Sequence, residues 1–265
     1  MERPLRWLLP AAAVLLVLVL WQLLTAGGVF GPDRFPTATD TATALASLVG
    51  TAEYWEAIGA TLRSWALGML VSGVLAVVVG SALALHDVAF RSAAGVIEIF
   101  KALPAIAILP LVILVLGSTE EMKVFLIVFA VFWPLVIQVV YGVRAIDPVA
   151  LDTARSLGVR GVRRFRTVTL PSAAPFLATG LRIASGSALI LAVVSELVGG
   201  AAGIGRSILQ AQNGGTTAYP MMYAYIFTAG GLGVVVTAAF FALEGRALHW
   251  HESRRSARAN AGAGR

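Results

Sequence analysis

The segment Arg144–Pro175 reads RAIDPVALDTARSLGVRGVRRFRTVTLPSAAP, and its punctuation is that of a compact helical hairpin. Asp147 followed by Pro148 is a helix start. The carboxylate accepts from the first unpaired backbone N–H groups, and proline at the first helical position has no N–H to leave unpaired. A helix fits from Val149 to Leu157, with Leu151, Ala154 and Leu157 on one face. Gly158 supplies a stop. A second short basic helix fits from about Arg160 to Val168, and Leu170-Pro171 breaks it. A plain connection needs neither this length nor this punctuation. From these residues two readings stay open: a docking surface for a soluble partner, or an amphipathic hairpin resting on anionic lipid.

Working outward, the chain is 58% hydrophobic and only 13% charged, where a soluble domain carries about a quarter charged residues. Its mean hydropathy is +0.84. That apolar surface calls for a bilayer. Six runs are long enough for the roughly 20 residues that span a hydrocarbon core. They are Leu5–Leu24, Leu62–Leu85, Ala93–Leu116, Val124–Val143, Phe176–Val198 and Met221–Leu243. The expected fold is therefore an all-α integral membrane protein with six transmembrane helices. The first run has the basic start of a signal peptide (Arg3, Arg6). Its apolar stretch is too long for one and no small-x-small cleavage site follows, so it reads as a retained anchor.

Arginines set the orientation. They precede the first run (Arg3, Arg6), sit between the second and third (Arg91), crowd the 144–175 hairpin, and recur in the tail (Arg246, Arg254, Arg255, Arg258, Arg265). The intervening loops are poor in them. Both termini and the hairpin are thus expected in the cytoplasm, a parity that six spans satisfy. The pI near 10.3 belongs to this topology rather than to nucleic acid. In the long first outer loop, Pro32, Pro36 and the threonines to Thr43 suggest an extended entry. A short helix from Asp40 to Trp55 is expected to lie on the outer surface, with Tyr54 and Trp55 at headgroup level. The polar tail is expected to lie near anionic lipid.

The hairpin also carries a spaced motif. Asp152-Thr153-Ala154, three residues, Gly158, nine residues and Val168-Thr169-Leu170-Pro171 resembles the EAA loop of ABC importer permeases, Glu-Ala-Ala, three residues, Gly, nine residues, Ile-x-Leu-Pro. Asp152, Thr153 and Val168 replace Glu, Ala and Ile with the spacing kept. The stretch IEIFKALPAIAILPLVILVLG, Ile97 to Gly117, is similar to the proline-containing third span of the sulfonate, taurine and nitrate branch. SELVGGAAGIGRSI, Ser195 to Ile208, is similar to that branch's outer loop after the fifth span. Phe35-Pro36, Glu244, Arg246 and Trp250 fit as well.

The resemblance implies a type I importer permease fold in the bacterial inner membrane. It divides the chain into an N-terminal membrane helix with its outer segment (1–56), a permease core (57–245) bearing the coupling loop 144–175, and a basic cytoplasmic tail (246–265). It further implies a homodimer of the chain, with a dimer of ABC ATPase subunits as partner, seated on Asp152, Thr153, Ala154, Gly158, Leu170 and Pro171. A periplasmic or lipid-anchored binding protein would deliver a small anionic solute of the sulfonate, taurine or nitrate kind.

Nothing in the sequence suggests chemistry of its own. The only lysines, Lys101 and Lys123, do not follow a glycine, so the phosphate loop Gly-x-x-x-x-Gly-Lys-Ser/Thr is absent and nucleotide must bind another chain. There is no cysteine. No catalytic centre, metal site or cofactor is expected, and His249-x-His251 reads as polar tail. Ionisable residues within spans are costly and often functional. Glu98 and Lys101 are three apart on one face: a local ion pair near the cytoplasmic side, or an anion-attracting lysine beside the transport path. Glu196 either snorkels to water or helps gate the outer mouth. Ser185, Ser187 and Ser195 either line the path or bond back to their helix. Pro104 and Pro110 are expected to interrupt the third span and Pro134 the fourth. Gly68, Gly73, Gly80, Gly180 and Gly186 are expected at close helix contacts. The alternative to an ATP-driven permease is a secondary transporter or channel without an ATPase, for which a duplicated half or an ion-coupling cluster would be the sign. A membrane-embedded enzyme would show ligands or a nucleophile with its base.

Overall fold

A computed structural model describes residues 2–30 and 35–247. The tail histidines, Trp250 and the arginines from Arg254 on lie outside the described residues, as does Pro32. Among the described residues there is no β-strand. The helices are α1 (Glu2–Ala26), α2 (Ala38–Val49), α3 (Ala52–Leu85), α4 (Asp87–Ala102), α5 (Leu109–Leu116), α6 (Glu120–Arg144), α7 (Pro148–Ser156), α8 (Gly161–Arg164), α9 (Leu170–Gly199), α10 (Ile204–Asn213) and α11 (Tyr219–Ala247). Four helical stretches are long and apolar enough to cross a membrane, Ala52–Leu85, Glu120–Arg144, Gly161–Asn213 and Thr216–Arg246, and the bent pair α4–α5 makes a fifth. The apolar part of α1 runs from Ala12 to Ala26.

The centre of the bundle is α3, α6 and α9. Val131, Leu135, Val136 and Val140 of α6 are buried between Met69 and Ala76 of α3 and Ala184, Ala188 and Ala192 of α9. Small residues let these helices approach. A Cβ on Gly80 would lie 2.8 Å from the Cβ of Val139, and one on Gly180 would lie 3.0 Å from Gln138 Cγ. A Cβ on Gly68 would overlap Ile127. In a bilayer, where lipid is as apolar as leucine, such close packing is what holds helices together. Gly186 differs from the expectation: no atom lies within 4 Å of a Cβ placed there.

Three boundaries differ from the sequence reading. The outer segment is not one helix from Asp40 to Trp55. Thr37 caps α2 by accepting from the Asp40 N–H at 3.1 Å, Gly50 ends it, and Thr51 caps α3. Tyr54 and Trp55 therefore sit in the first turn of α3, which begins ten residues before the apolar run does. The third span is not one helix: α4 and α5 meet at 79°. Pro104 disfavours helical backbone at Leu103, which is extended at φ −74°, ψ 119°. Pro110 interrupts nothing, because it sits in the first turn of α5 where no N–H is required. Leu170-Pro171 does not break the second hairpin helix either. A π-turn over Phe165–Thr169 carries α8 directly into α9.

The ends are tied by specific contacts. Arg144 at the end of α6 binds Asp87 at the start of α4 at 2.8 Å and lies 4.4 Å over the Phe90 ring. Trp21 of α1 stacks on Phe227 of α11 at 5.2 Å and donates from Nε1 to the Pro36 carbonyl at 3.1 Å. At the end of the bundle opposite Arg144, Ile204 and Ile208 of α10 pack with Leu48, Tyr54, Ala57, Ala224 and Tyr225.

Candidate functional site

The hairpin forms as its residues dictate. The Asp147 carboxylate accepts from the Val149 N–H at 2.8 Å, and Pro148 opens α7. At the other end Gly158 adopts φ +70°. Its N–H donates to the Arg155 carbonyl at 3.0 Å, and the Val159 N–H reaches back to Ala154 at 2.9 Å. This is the six-to-one and five-to-two pairing that closes a helix through a left-handed glycine. Gly161, at φ +55°, makes a second left-handed turn before α8. Two glycines in four residues thus fold α7 back against the root of α9.

Leu151 and Ala154 of α7 face the bundle, with Ala154 buried and Leu151 packed on the core. Leu157 does not share that face, because it falls at the helix end and is 74% exposed. Val149 and Val162 are exposed as well. Asp152 is exposed and pairs with Arg155 at 2.8 Å, and Thr153 returns its hydroxyl proton to the Val149 carbonyl at 2.8 Å. Leu170 is half-buried and Pro171 exposed at the start of α9. The hairpin therefore leaves Val149, Leu157 and Val162 exposed among polar and arginine residues, with Ala154 buried and Leu151 packed on the core.

The residues singled out within spans separate into two groups. Ser185, Ser195 and Glu196 are fully buried inside the chain. Ser195 bonds back to the Ala192 carbonyl at 2.8 Å. Ser187 is exposed beside a small cavity of about 110 Å³ with Pro134, Gln138 and Gly180. Glu98 and Lys101 pair at 2.9 Å with side chains 67% and 31% exposed.

Glu196 does not snorkel. It is the centre of a buried network that the sequence reading missed. Its Oε1 accepts from Lys123 Nζ at 3.0 Å, and its Oε2 accepts from the Thr61 hydroxyl at 2.9 Å and the Gly205 N–H at 3.0 Å. Lys123 places its other protons on the carbonyls of Ala202 at 2.7 Å and Ala60 at 3.3 Å. The Ile204 N–H donates to Thr61 Oγ1 at 3.0 Å. Both ions are saturated with partners, the condition under which a buried ion pair is tolerated. The glycines of the 199–205 turn make this possible: a Cβ on Gly203, where φ is +149°, would run into the Glu196 carboxylate. The available signal was Glu196 inside the fifth apolar run, where a carboxylate needs a partner or water; Lys123, just before the fourth run and next to Glu120 and Glu121, gave no such sign.

A helical bundle with several membrane-length spans and a structured hairpin between two of them is an integral membrane protein. The chain belongs to the family described as binding-protein-dependent transport system inner membrane component, which it matches over residues 72–249. It is 30% identical to a Brucella abortus protein described as an ABC transporter permease, over 88% of this chain and 91% of that one. It is 29% identical to an Escherichia coli permease named for aliphatic sulfonates transport, over 78% and 77% of the two chains. It is 28% identical to the Escherichia coli taurine transport system permease, over 88% and 78%. These relatives, with one named for nitrate import, place it as an ABC importer permease subunit of the sulfonate, taurine and nitrate type. Its fold is similar to a chain of the bacterial alginate ABC transporter solved with its alginate-bound periplasmic protein, at TM-score 0.64 and 14% identity over 93% and 97% of the chains.

Proposed function

We propose that this chain is one of two identical permease subunits that form the translocation pathway of an importer in the bacterial inner membrane, driven by a separate dimer of ABC ATPase subunits. In this reading α1 is the first of six spans, α4 and α5 together the third, and both termini are cytoplasmic. Residues 1–56 add the first helix and the outer helix to a core of 57–245, with 246–265 as a basic tail on the lipid surface. Asp152, Thr153, Ala154, Gly158, Leu170 and Pro171 shape the hairpin that seats in the ATPase. A periplasmic or lipid-anchored binding protein delivers a small anionic solute resembling a sulfonate, taurine or nitrate. The permease itself hydrolyses nothing.

The observation that supports this reading is the hairpin itself: two left-handed glycines and the buried Ala154 fix a short helical connection on the bundle, and Val149, Leu157 and Val162 stay exposed on it. A lipid-resting hairpin would leave its apolar stripe open to the membrane; here Ala154 is buried and Leu151 packed on the core, so that stripe is used within the chain. The test is co-purification of the detergent-solubilised chain with an ABC ATPase subunit from its own membranes. Leu157→Asp should abolish the association while leaving membrane insertion intact. Undiminished association and uptake in that variant would remove the docking role.

A further inference from the structure

The Glu98–Lys101 pair lies at an unexpected depth. From sequence the two residues read either as a local pair near the cytoplasmic side or as an anion-attracting lysine beside the transport path. In the structure Phe100, between the two, stacks flat on Trp133 with ring centroids 4.6 Å apart and meets Phe129 edge-on at 5.9 Å. Phe129 and Trp133 flank the midpoint of α6, whose cytoplasmic end is marked by the Arg144–Asp87 pair. The ion pair is therefore level with the midpoint of α6, a helix long and apolar enough to cross a membrane, and it is open to the outside of the chain.

A second, independent feature sits beside it. The α4–α5 bend follows within two residues, and Ala102, Leu103 and Pro104 are all exposed. Pro104 has no N–H, so the Phe100 carbonyl loses its helical donor. Irregular backbone at membrane depth is tolerated only when covered by protein or lining water, because lipid satisfies no polar group. Charges at that depth face the same restriction. Exposed charge and exposed broken backbone on one short segment exclude acyl chains as the neighbour.

We propose that Glu98, Lys101 and the 102–104 break line a water-filled transport path between this chain and a second copy, and form a polar station for the passing solute. This rests on the permease reading above and deepens it. The pair carries no net charge, so a small anion reaches Lys101 by exchanging places with Glu98, whose repulsion then favours release. The station passes its solute without retaining it.

The chain has no cysteine, so single cysteines report without background. Glu98→Cys, Lys101→Cys and Ala102→Cys would be exposed in membranes to an anionic (sulfonatoethyl) and a cationic (trimethylammonioethyl) methanethiosulfonate. Leu70→Cys and Val235→Cys, at exposed apolar positions on α3 and α11, serve as references. Only a thiolate reacts, and a thiolate forms only where water reaches. The expected result is reaction about tenfold or more faster at 98, 101 and 102 than at the references. Position 98, where Lys101 is left alone, should prefer the anionic reagent, and position 101, where Glu98 is left alone, the cationic one. Ala102→Cys keeps both charges and reads hydration even if a charge variant fails to accumulate. Rates at all three positions as slow as at the references, or no inversion of preference between 98 and 101, would overturn the proposal. ATPase co-purification from the same membranes separates the two levels. With the ATPase bound and the cysteines silent, only the path assignment falls; with no ATPase bound in any preparation, the permease reading falls and takes this inference with it.

Discussion

Replacing Lys123 with methionine should be among the most damaging single substitutions in the chain. The lysine side chain is 3% exposed and Glu196 is 0% exposed. Methionine fits the stem of the lysine but leaves a carboxylate with only the Thr61 hydroxyl and the Gly205 N–H. It also strips donors from the Ala60 and Ala202 carbonyls. Removing one partner of a buried ion pair costs about 3–5 kcal/mol. Glu196→Gln should also cost about 3–5 kcal/mol: the amide oxygen still accepts from Lys123, but the buried cation loses its counter-charge and the amide NH2 is turned against the Gly205 N–H. The double variant Lys123→Met/Glu196→Gln removes both charges, so its loss should fall below the sum of the single losses by about 2 kcal/mol. The assay is SDS titration in mixed micelles, following helicity and the elution of the folded species. A Lys123→Met protein that unfolds at the parental SDS fraction, or strictly additive losses, would show that the pair is not the desolvated anchor of the 199–205 turn.

Other substitutions probe the remaining joints. Gly158→Val forces a branched side chain into φ +70° with open space around it, so the cost is backbone strain of about 1–2 kcal/mol confined to the hairpin. ATPase-driven uptake should fall with insertion unchanged, whereas Gly158→Asn, which tolerates the left-handed region, should retain most of it. Gly80→Leu places a side chain against Val139 and the Val136 carbonyl and should destabilise the α3–α6 contact by about 1–3 kcal/mol, read in the same SDS titration. Pro104→Ala restores an N–H for the Phe100 carbonyl and relaxes the restriction on Leu103. The SDS midpoint should hold or rise while vesicle uptake drops, and unchanged uptake would show that the bend has no part in transport.

How far the sequence could be read depended on whether the deciding interaction was local. The hairpin was legible because each of its signals acts within four or five residues: Asp147 caps its own helix, Pro148 occupies a position that needs no donor, and Gly158 takes a backbone angle that a Cβ resists. The apolar runs were legible because length and hydropathy alone decide what a bilayer accepts. Their edges were less so. Thr51 starts α3 well before its apolar run, and the π-turn over Phe165–Thr169 absorbs a proline that local rules treat as a break.

By itself the sequence determined a helical membrane protein with a structured hairpin of spaced residues, since propensity, capping and partition into lipid are properties of neighbouring residues. Only the tertiary structure decided that Lys123 and Glu196, 73 residues apart, neutralise each other inside the bundle, and that Glu98 and Lys101 pair on an open face beside Phe100, which stacks on Trp133. The reason is physical. A charge in an apolar run announces that it needs a partner or water, but which of the two it finds depends on helices that meet only after the chain has packed.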